Sequence, residues 1–183
     1  MSPHADARKV LVTGGVRSGK SRYAESLVAG AGAVTYVAPG PVPDPVADPE
    51  WAARVAAHQA ARPADWRTVE TTDLPHALAR AQGSVLVDCL GTWTTAVVDE
   101  LGTWDEPLAG WRDRFDARLD ALLQAWREHP GLLVAVTNEV GWGLVSEHRS
   151  GRVFTDLLGR VNQAVAAECD EVVLMVAGRA LHL

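Results

Sequence analysis

The sequence predicts an α/β domain in which a mostly parallel central sheet is covered by helices on both faces, a three-layer arrangement. Short apolar runs alternate along the chain with stretches of helical periodicity, the pattern of strands joined by crossover helices. The first run passes through a pair of glycines directly into a helix. With 183 residues, 48% hydrophobic and 22% charged, the chain has the composition of one ordinary globular domain. A chain of this length buries roughly 70% of its unfolded surface, so neither disulfides nor a structural metal is required.

Arg8 to Thr13 reads as a buried strand, Gly14-Gly15 breaks it, and a helical pattern runs from Ser18 to Val28. Ala33 to Ala38 is a second strand. Five of the ten prolines fall between 39 and 49, which predicts an extended surface loop there. Glu50 to Ala61 is a helix stopped by Pro63, because the residue before a proline avoids α geometry. Trp66 to Val69 is extended, Leu74 to Ala81 helical and Val85 to Leu90 a buried strand. Leu108, Trp111, Phe115, Leu119, Leu122 and Trp126 recur at steps of three and four, the stripe of a long amphipathic helix that packs on the core or serves as an interface. Leu132 to Thr137 is the next strand. Phe154, Leu157, Leu158, Val161 and Val165 mark a further helix, and Glu171 to Val176 closes as a last strand. No internal repeat or domain boundary interrupts residues 1–183, so one domain is expected.

Net charge is −6, which argues against a nucleic-acid or acidic-membrane surface, since these need a broad excess of Lys and Arg. Phosphate binding, if present, is local. Cys89 and Cys169 have no metal-like spacing, and Cys89, inside an apolar run, reads as a small buried thiol. Met1 to Lys9 lacks the apolar core of a signal peptide, and no run approaches the ~18 apolar residues of a membrane span, so a cytoplasmic location is expected.

Gly14-Gly15-Val16-Arg17-Ser18-Gly19-Lys20-Ser21 fits G-x-x-x-x-G-K-[ST] between a strand and a helix, the context a P-loop requires. The expected architecture is therefore a P-loop NTPase-type fold. Glycine at 14 and 19 lets the backbone turn its N–H groups toward phosphate oxygens at the positive end of the following helix. Lys20 is placed for the β and γ phosphates, and the Ser21 hydroxyl for a magnesium ion. Of 17 basic residues only Lys9 and Lys20 are lysines, so an Arg-using composition retains Lys where a slim ammonium is needed. Arg17 and Arg22 add to the loop's positive field or remain solvated charges. Asp88, at the end of an apolar strand, is placed to share the magnesium ion or to cap the next turn.

Arg54 and His58 share one helix face, followed by Arg62-Pro63 and Trp66-Arg67-Thr68-Val69-Glu70. Taken alone, a helix histidine of this kind is more often structural than catalytic. Set after a P-loop whose second residue is also glycine, His58, Arg62-Pro63, Trp66, Thr68 and Glu70 resemble the bifunctional adenosylcobinamide kinase / adenosylcobinamide-phosphate guanylyltransferase family of cobalamin biosynthesis. Asp88-Cys89-Leu90 with Thr92-Trp93, Thr137 to Gly143, and Gly159-Arg160-Val161-Asn162-Gln163 continue the resemblance in order from Val10 to about Gly178.

The resemblance implies that residues 14–21 serve both reactions, with GTP or ATP as phosphate donor and Mg2+ as cofactor. It implies that His58 becomes guanylylated by GTP and passes GMP to adenosylcobinamide-phosphate, and that adenosylcobinamide is the acceptor of the kinase step. Arg62 and Glu70 match positions used around GTP, and Asp88 the acidic residue of the nucleotide site. Glu70 has the acceptor pair that guanine N1–H and its amino group need, or it is structural. Asn138, Glu139 and Asn162 are further candidates. The family also implies a homo-oligomer, often a ring of subunits.

Three segments depart from the family pattern: Ala38-Pro39-Gly40, with a longer proline-rich insertion and one backbone donor fewer; Ser146-Glu147-His148; and the C-terminal tail. Two other readings stand beside the main one: a simple P-loop small-molecule kinase with His58 structural, and a GTP-binding switch or scaffold with Asp99, Glu100, Asp105 and Glu106 as a partner contact or a solvated loop.

Overall fold

The computed structural model describes residues 7–40, 44–60, 62–102 and 104–183, with the side chains of Trp51, Arg54, His58 and Ala60 outside that description. Seven strands form one sheet in the order β3-β2-β4-β5-β1-β6-β7. They are β1 (Lys9–Gly14), β2 (Val34–Ala38), β3 (Arg67–Glu70), β4 (Ser84–Asp88), β5 (Leu133–Val136), β6 (Glu171–Val176) and β7 (Arg179–His182). Neighbouring strands are parallel except the last pair, which is antiparallel. The helices are α1 (Lys20–Val28), α2 (Pro49–Ala60), α3 (Leu74–Arg80), α4 (Leu90–Leu101), α5 (Arg112–Glu128) and α6 (Arg149–Ala167).

Strand side chains alternate between two cores, as the pleat demands. Leu11, Val37, Val85, Val87, Leu133 and Ala135 face one side, where α3, α4, α5 and α6 cover them. Val10, Val12, Tyr36, Leu86, Val134 and Val136 face the other, against Ala24 and Val28 of α1. The expected three layers are present, with unequal cover.

The described segments refine several expected boundaries. Helix α1 begins at Lys20, two residues later than its apolar pattern suggests, because Arg17 (φ 59°) and Gly19 (φ 96°) take left-handed backbone that a helix cannot include. The proline-rich stretch is only partly a surface loop. Pro39 is buried, residues 41–43 lie outside the description, and Asp44 accepts the amides of Val46 and Ala47 at 2.8 and 3.1 Å in a turn that feeds α2. Pro49 opens that helix, where a missing N–H costs nothing.

The stripe from Leu108 to Trp126 divides into a 3-10 turn at Leu108–Gly110 and then α5, with Trp111 at φ −140° between them. Its Trp111, Phe115, Leu119, Leu122 and Trp126 are core residues, which removes them as an interface. On α6, Val153 takes the buried seat expected for Phe154. Two elements have no counterpart in the expected order. Helix α4 follows Asp88 directly, and β7 follows the turn at Ala177 and Gly178, so β6 is not the last strand. Among the described residues, no helix is long and apolar enough to cross a membrane.

Phe115 is fully buried against Trp93, with ring centroids 6.2 Å apart, whereas Arg114 beside it is exposed. Phe115→Ala is expected to lower the unfolding free energy by about 3–5 kcal/mol. Arg114→Ala should change it by no more than about 0.5 kcal/mol. Urea denaturation of both variants checks the assignment of α5 to the core.

Candidate active site

Six parallel strands end along one edge of the sheet, and their register brings together Gly14 (beside Met175), Asp88 (beside Val136), Ala38 and Glu70. In parallel α/β sheets this carboxyl edge is where ligands bind. A cavity of about 770 Å³ opens there.

The β1–α1 turn forms its floor. Gly14 has φ 154°, and a Cβ on it would lie 2.6 Å from the Met175 carbonyl oxygen and 2.7 Å from Ser18 Oγ, so only glycine fits without displacement. The turn is braced from behind at three points. Ser18 O accepts the Gly178 amide at 2.9 Å, Gly14 O accepts the Glu139 amide at 3.2 Å, and Thr13 Oγ1 donates to Glu139 Oε2 at 3.2 Å. The β6–β7 hairpin therefore backs the loop.

Val16, Arg17, Ser18, Gly19, Lys20, Ser21 and Arg22 line the cavity. Lys20 Nζ donates to the Gly15 carbonyl at 3.1 Å. Half burial pushes its ammonium below the ordinary lysine value, against the opposing pull of Cys89 and Asp88. Ser18 Oγ is buried without a hydrogen-bond partner, as is Arg62 Nε, and both residues line the cavity.

Arg62, Glu70 and Asp88 all line the same space, so the structure brings them to residues 16–21. The Arg62 guanidinium carbon lies 3.6 Å above the Tyr36 ring, and its Nη1 donates to Thr68 Oγ1 at 3.3 Å. Asp88 Oδ2 accepts the Tyr36 hydroxyl at 3.1 Å. Glu70 Oε1 accepts from Gln59 Nε2 at 2.5 Å, which ties α2 to the outer strand. Val55 and Ala57 of α2 also line the cavity, so the helix that carries His58 forms a wall of the site. The His58 and Arg54 side chains lie outside the described residues.

Asn138 lines the cavity, whereas Asn162 braces it: Asn162 accepts from Thr137 Oγ1 at 2.6 Å and donates to the Asn138 carbonyl at 3.1 Å. Glu139 serves the loop from beneath. Beyond it, Trp142, Leu144 and Val145 are exposed. Cys89, expected as a small buried thiol, packs against the core on the α1 side, reaches the cavity wall and caps α4, its Sγ accepting the Thr92 amide at 3.4 Å; burial and the neighbouring Asp88 push its thiol up. Thr92, part of the motif that follows Asp88, lines the cavity, and so does Tyr36, which the sequence does not single out. Ala38 and Gly40 line the wall on either side of Pro39.

Gly14→Ala should lower nucleotide affinity at least about tenfold, since the new methyl displaces Ser18 or the loop. A phosphate beside Lys20 favours its ammonium and raises its pKa, so binding takes up the proton. GTP affinity should be full while free Lys20 is protonated and fall as pH rises through its lowered pKa, starting below the ordinary lysine range. Lys20→Ala should bind more weakly without that alkaline fall. Equilibrium titration with a fluorescent GTP analogue measures both.

Residues 10–183 match the family model described as CobU, cobinamide kinase / cobinamide phosphate guanyltransferase. The chain is 41% identical over 177 residues to the bifunctional adenosylcobalamin biosynthesis protein CobU of Salmonella typhimurium, covering 92% of this chain and 96% of that relative. It is 40% identical to the Escherichia coli protein of the same name, with the same coverage. It is 38% identical to CobP of Pseudomonas aeruginosa, covering 94% and 95% of the two chains. Among solved structures, it is similar to a prototypical ATPase from the type III secretion system of pathogenic bacteria. That likeness has a TM-score of 0.54 at 12% identity, covers 92% of this chain and 51% of the ATPase, and shows the fold alone. The order of motifs around the cavity and the matches along nearly the whole chain lead to one conclusion: the chain belongs to the cobinamide kinase / cobinamide phosphate guanyltransferase family.

Proposed function

We propose that this chain carries out two successive transfers in cobalamin biosynthesis, phosphorylation of adenosylcobinamide and guanylylation of the resulting phosphate. The observation that carries the reading is a single cavity in which the Lys20 loop, Arg62, Glu70 and Asp88 face one another, walled by the helix that bears His58. In the kinase step the acceptor hydroxyl attacks the γ-phosphorus of ATP or GTP, the bond to the β–γ bridging oxygen breaks, and the hydroxyl proton goes to solvent. Lys20 and the loop amides stabilise charge on the phosphate oxygens. In the second step an imidazole nitrogen of neutral His58 attacks the α-phosphorus of GTP and pyrophosphate leaves. The phosphate of adenosylcobinamide-phosphate then attacks that phosphorus, the P–N bond breaks, His58 is restored, and adenosylcobinamide-GDP forms.

Magnesium belongs to this proposal. Ser21 and Asp88 present two hard oxygen ligands to the same cavity, and no group of three or more His, Cys, Asp or Glu among the described residues is arranged for a metal. That donor set fits Mg2+, which takes one or two protein oxygens and completes its shell with phosphate and water. When bound, the ion neutralises charge between the phosphates. Arg62 supplies a further cation, and Glu70, once released from Gln59, offers the acceptor pair for guanine N1–H and its amino group. Assembly into a homo-oligomer is part of the same reading, through a surface other than the buried stripe of α5.

Incubation with GTP labelled at the α-phosphate and Mg2+ should leave acid-labile, alkali-stable label on the denatured protein, and His58→Ala should abolish it. Absence of label, or equal label on the variant, contradicts the guanylyltransferase step and favours a simple kinase. Lys20→Ala should slow phosphorylation of adenosylcobinamide at least about 100-fold. Undiminished phosphorylation by that variant contradicts the kinase assignment.

A further inference from the structure

Tyr36 is 2% exposed and lies on the α1 face of β2, packed with Val12, Leu86 and Val136. In the ladder it stands between Thr68 of β3 and Leu86 of β4. A buried tyrosine needs a partner for its hydroxyl, and many different acceptors satisfy that need. Here the acceptor is Oδ2 of Asp88, the carboxylate proposed for the metal, at 3.1 Å. The ring face is used as well: the Arg62 guanidinium carbon sits 3.6 Å above its centroid, with Nη1 held by Thr68 and Nε buried and unpartnered. One side chain thus touches two charged groups, Asp88 and Arg62, that line the same cavity.

From these two contacts, the geometry points to Tyr36 as a positioning residue for the nucleotide site, which turns one oxygen of Asp88 toward the metal–phosphate unit and holds Arg62 flat against the cavity wall. This inference rests on the proposed function, because it takes Asp88 and Arg62 as ligands of a metal-bound nucleotide. The hydroxyl bond fixes the rotation of the carboxylate, which a phenylalanine ring of the same shape cannot do. The stack needs only the aromatic face.

The two contacts separate by substitution. Tyr36→Phe keeps the stack and removes the hydroxyl; Tyr36→Leu removes both. Equilibrium binding of a fluorescent GTP analogue, titrated with Mg2+ and repeated in EDTA, reads them without turnover. For Tyr36→Phe the half-saturating Mg2+ concentration should rise about tenfold while affinity in EDTA stays within about twofold of the parent. Tyr36→Leu should also weaken binding in EDTA. Thermal unfolding without ligand confirms that each variant is folded, and Tyr36→Phe suffices if Tyr36→Leu is not. If Tyr36→Phe matches the parent in Mg2+ requirement while Asp88→Ala raises it, Tyr36 is only a core aromatic and the inference is overturned. If Asp88→Ala leaves the Mg2+ requirement unchanged, the metal assignment of the proposed function fails first and takes this inference with it.

Discussion

Everything at the site depends on one turn of backbone between β1 and α1. Left-handed geometry at Arg17 and Gly19 ends the strand's direction and starts a helix within a few residues. That geometry aims amides and the positive end of α1 into one small volume. The turn is held in place by parts of the chain far away in sequence: the Met175 carbonyl against Gly14, the Gly178 amide on Ser18, and Glu139 on Gly14 and Thr13. A chain with a net charge of −6 needs no basic surface to bind phosphate when backbone dipoles, Lys20 and two or three arginines converge in this way.

The sheet order determines what meets that turn. Because β2 and β4 lie to one side of β5 and β1, the carboxyl ends of β2 and β4 bring Tyr36 and Asp88 across from residues 16–21, and β3 adds Thr68 and Glu70 beyond them. Helix α2 closes the cavity at that side through Val55 and Ala57, and the Gln59–Glu70 bond ties it to the sheet edge. Residues 9–21 thus supply the phosphate floor and residues 34–70 a wall, while Asp88 and Asn138 come from later strand ends.

How much of this was readable from sequence follows from what each residue must satisfy. The loop from Gly14 to Ser21 is legible because local stereochemistry dictates nearly every position, and the strands of the core are legible as apolar runs. Helix α4 is not, since Leu90, Trp93, Thr94, Val97 and Val98 are buried together and leave no polar stripe to set its period. Strand β7 is exposed at every position and carries no apolar signal, although the turn before it supports the phosphate loop. Tyr36 reads as an ordinary core aromatic; only its hydroxyl's partner, 52 residues away, gives it a place in the site. Cys89 was legible as buried, but its place on the cavity wall depends on the register of β4 with β5.

Two transfers at one cradle is the central claim, and the common element is the phosphate site at Lys20. The most direct measurement is inhibition of both steps, on the same preparation, by one GTP analogue with methylene at both the α–β and the β–γ bridge, reading phosphorylation of adenosylcobinamide and labelling of the protein by α-labelled GTP. A shared site requires the two inhibition constants to agree within about twofold. Constants more than about tenfold apart, or inhibition of one step alone, would contradict a single cradle.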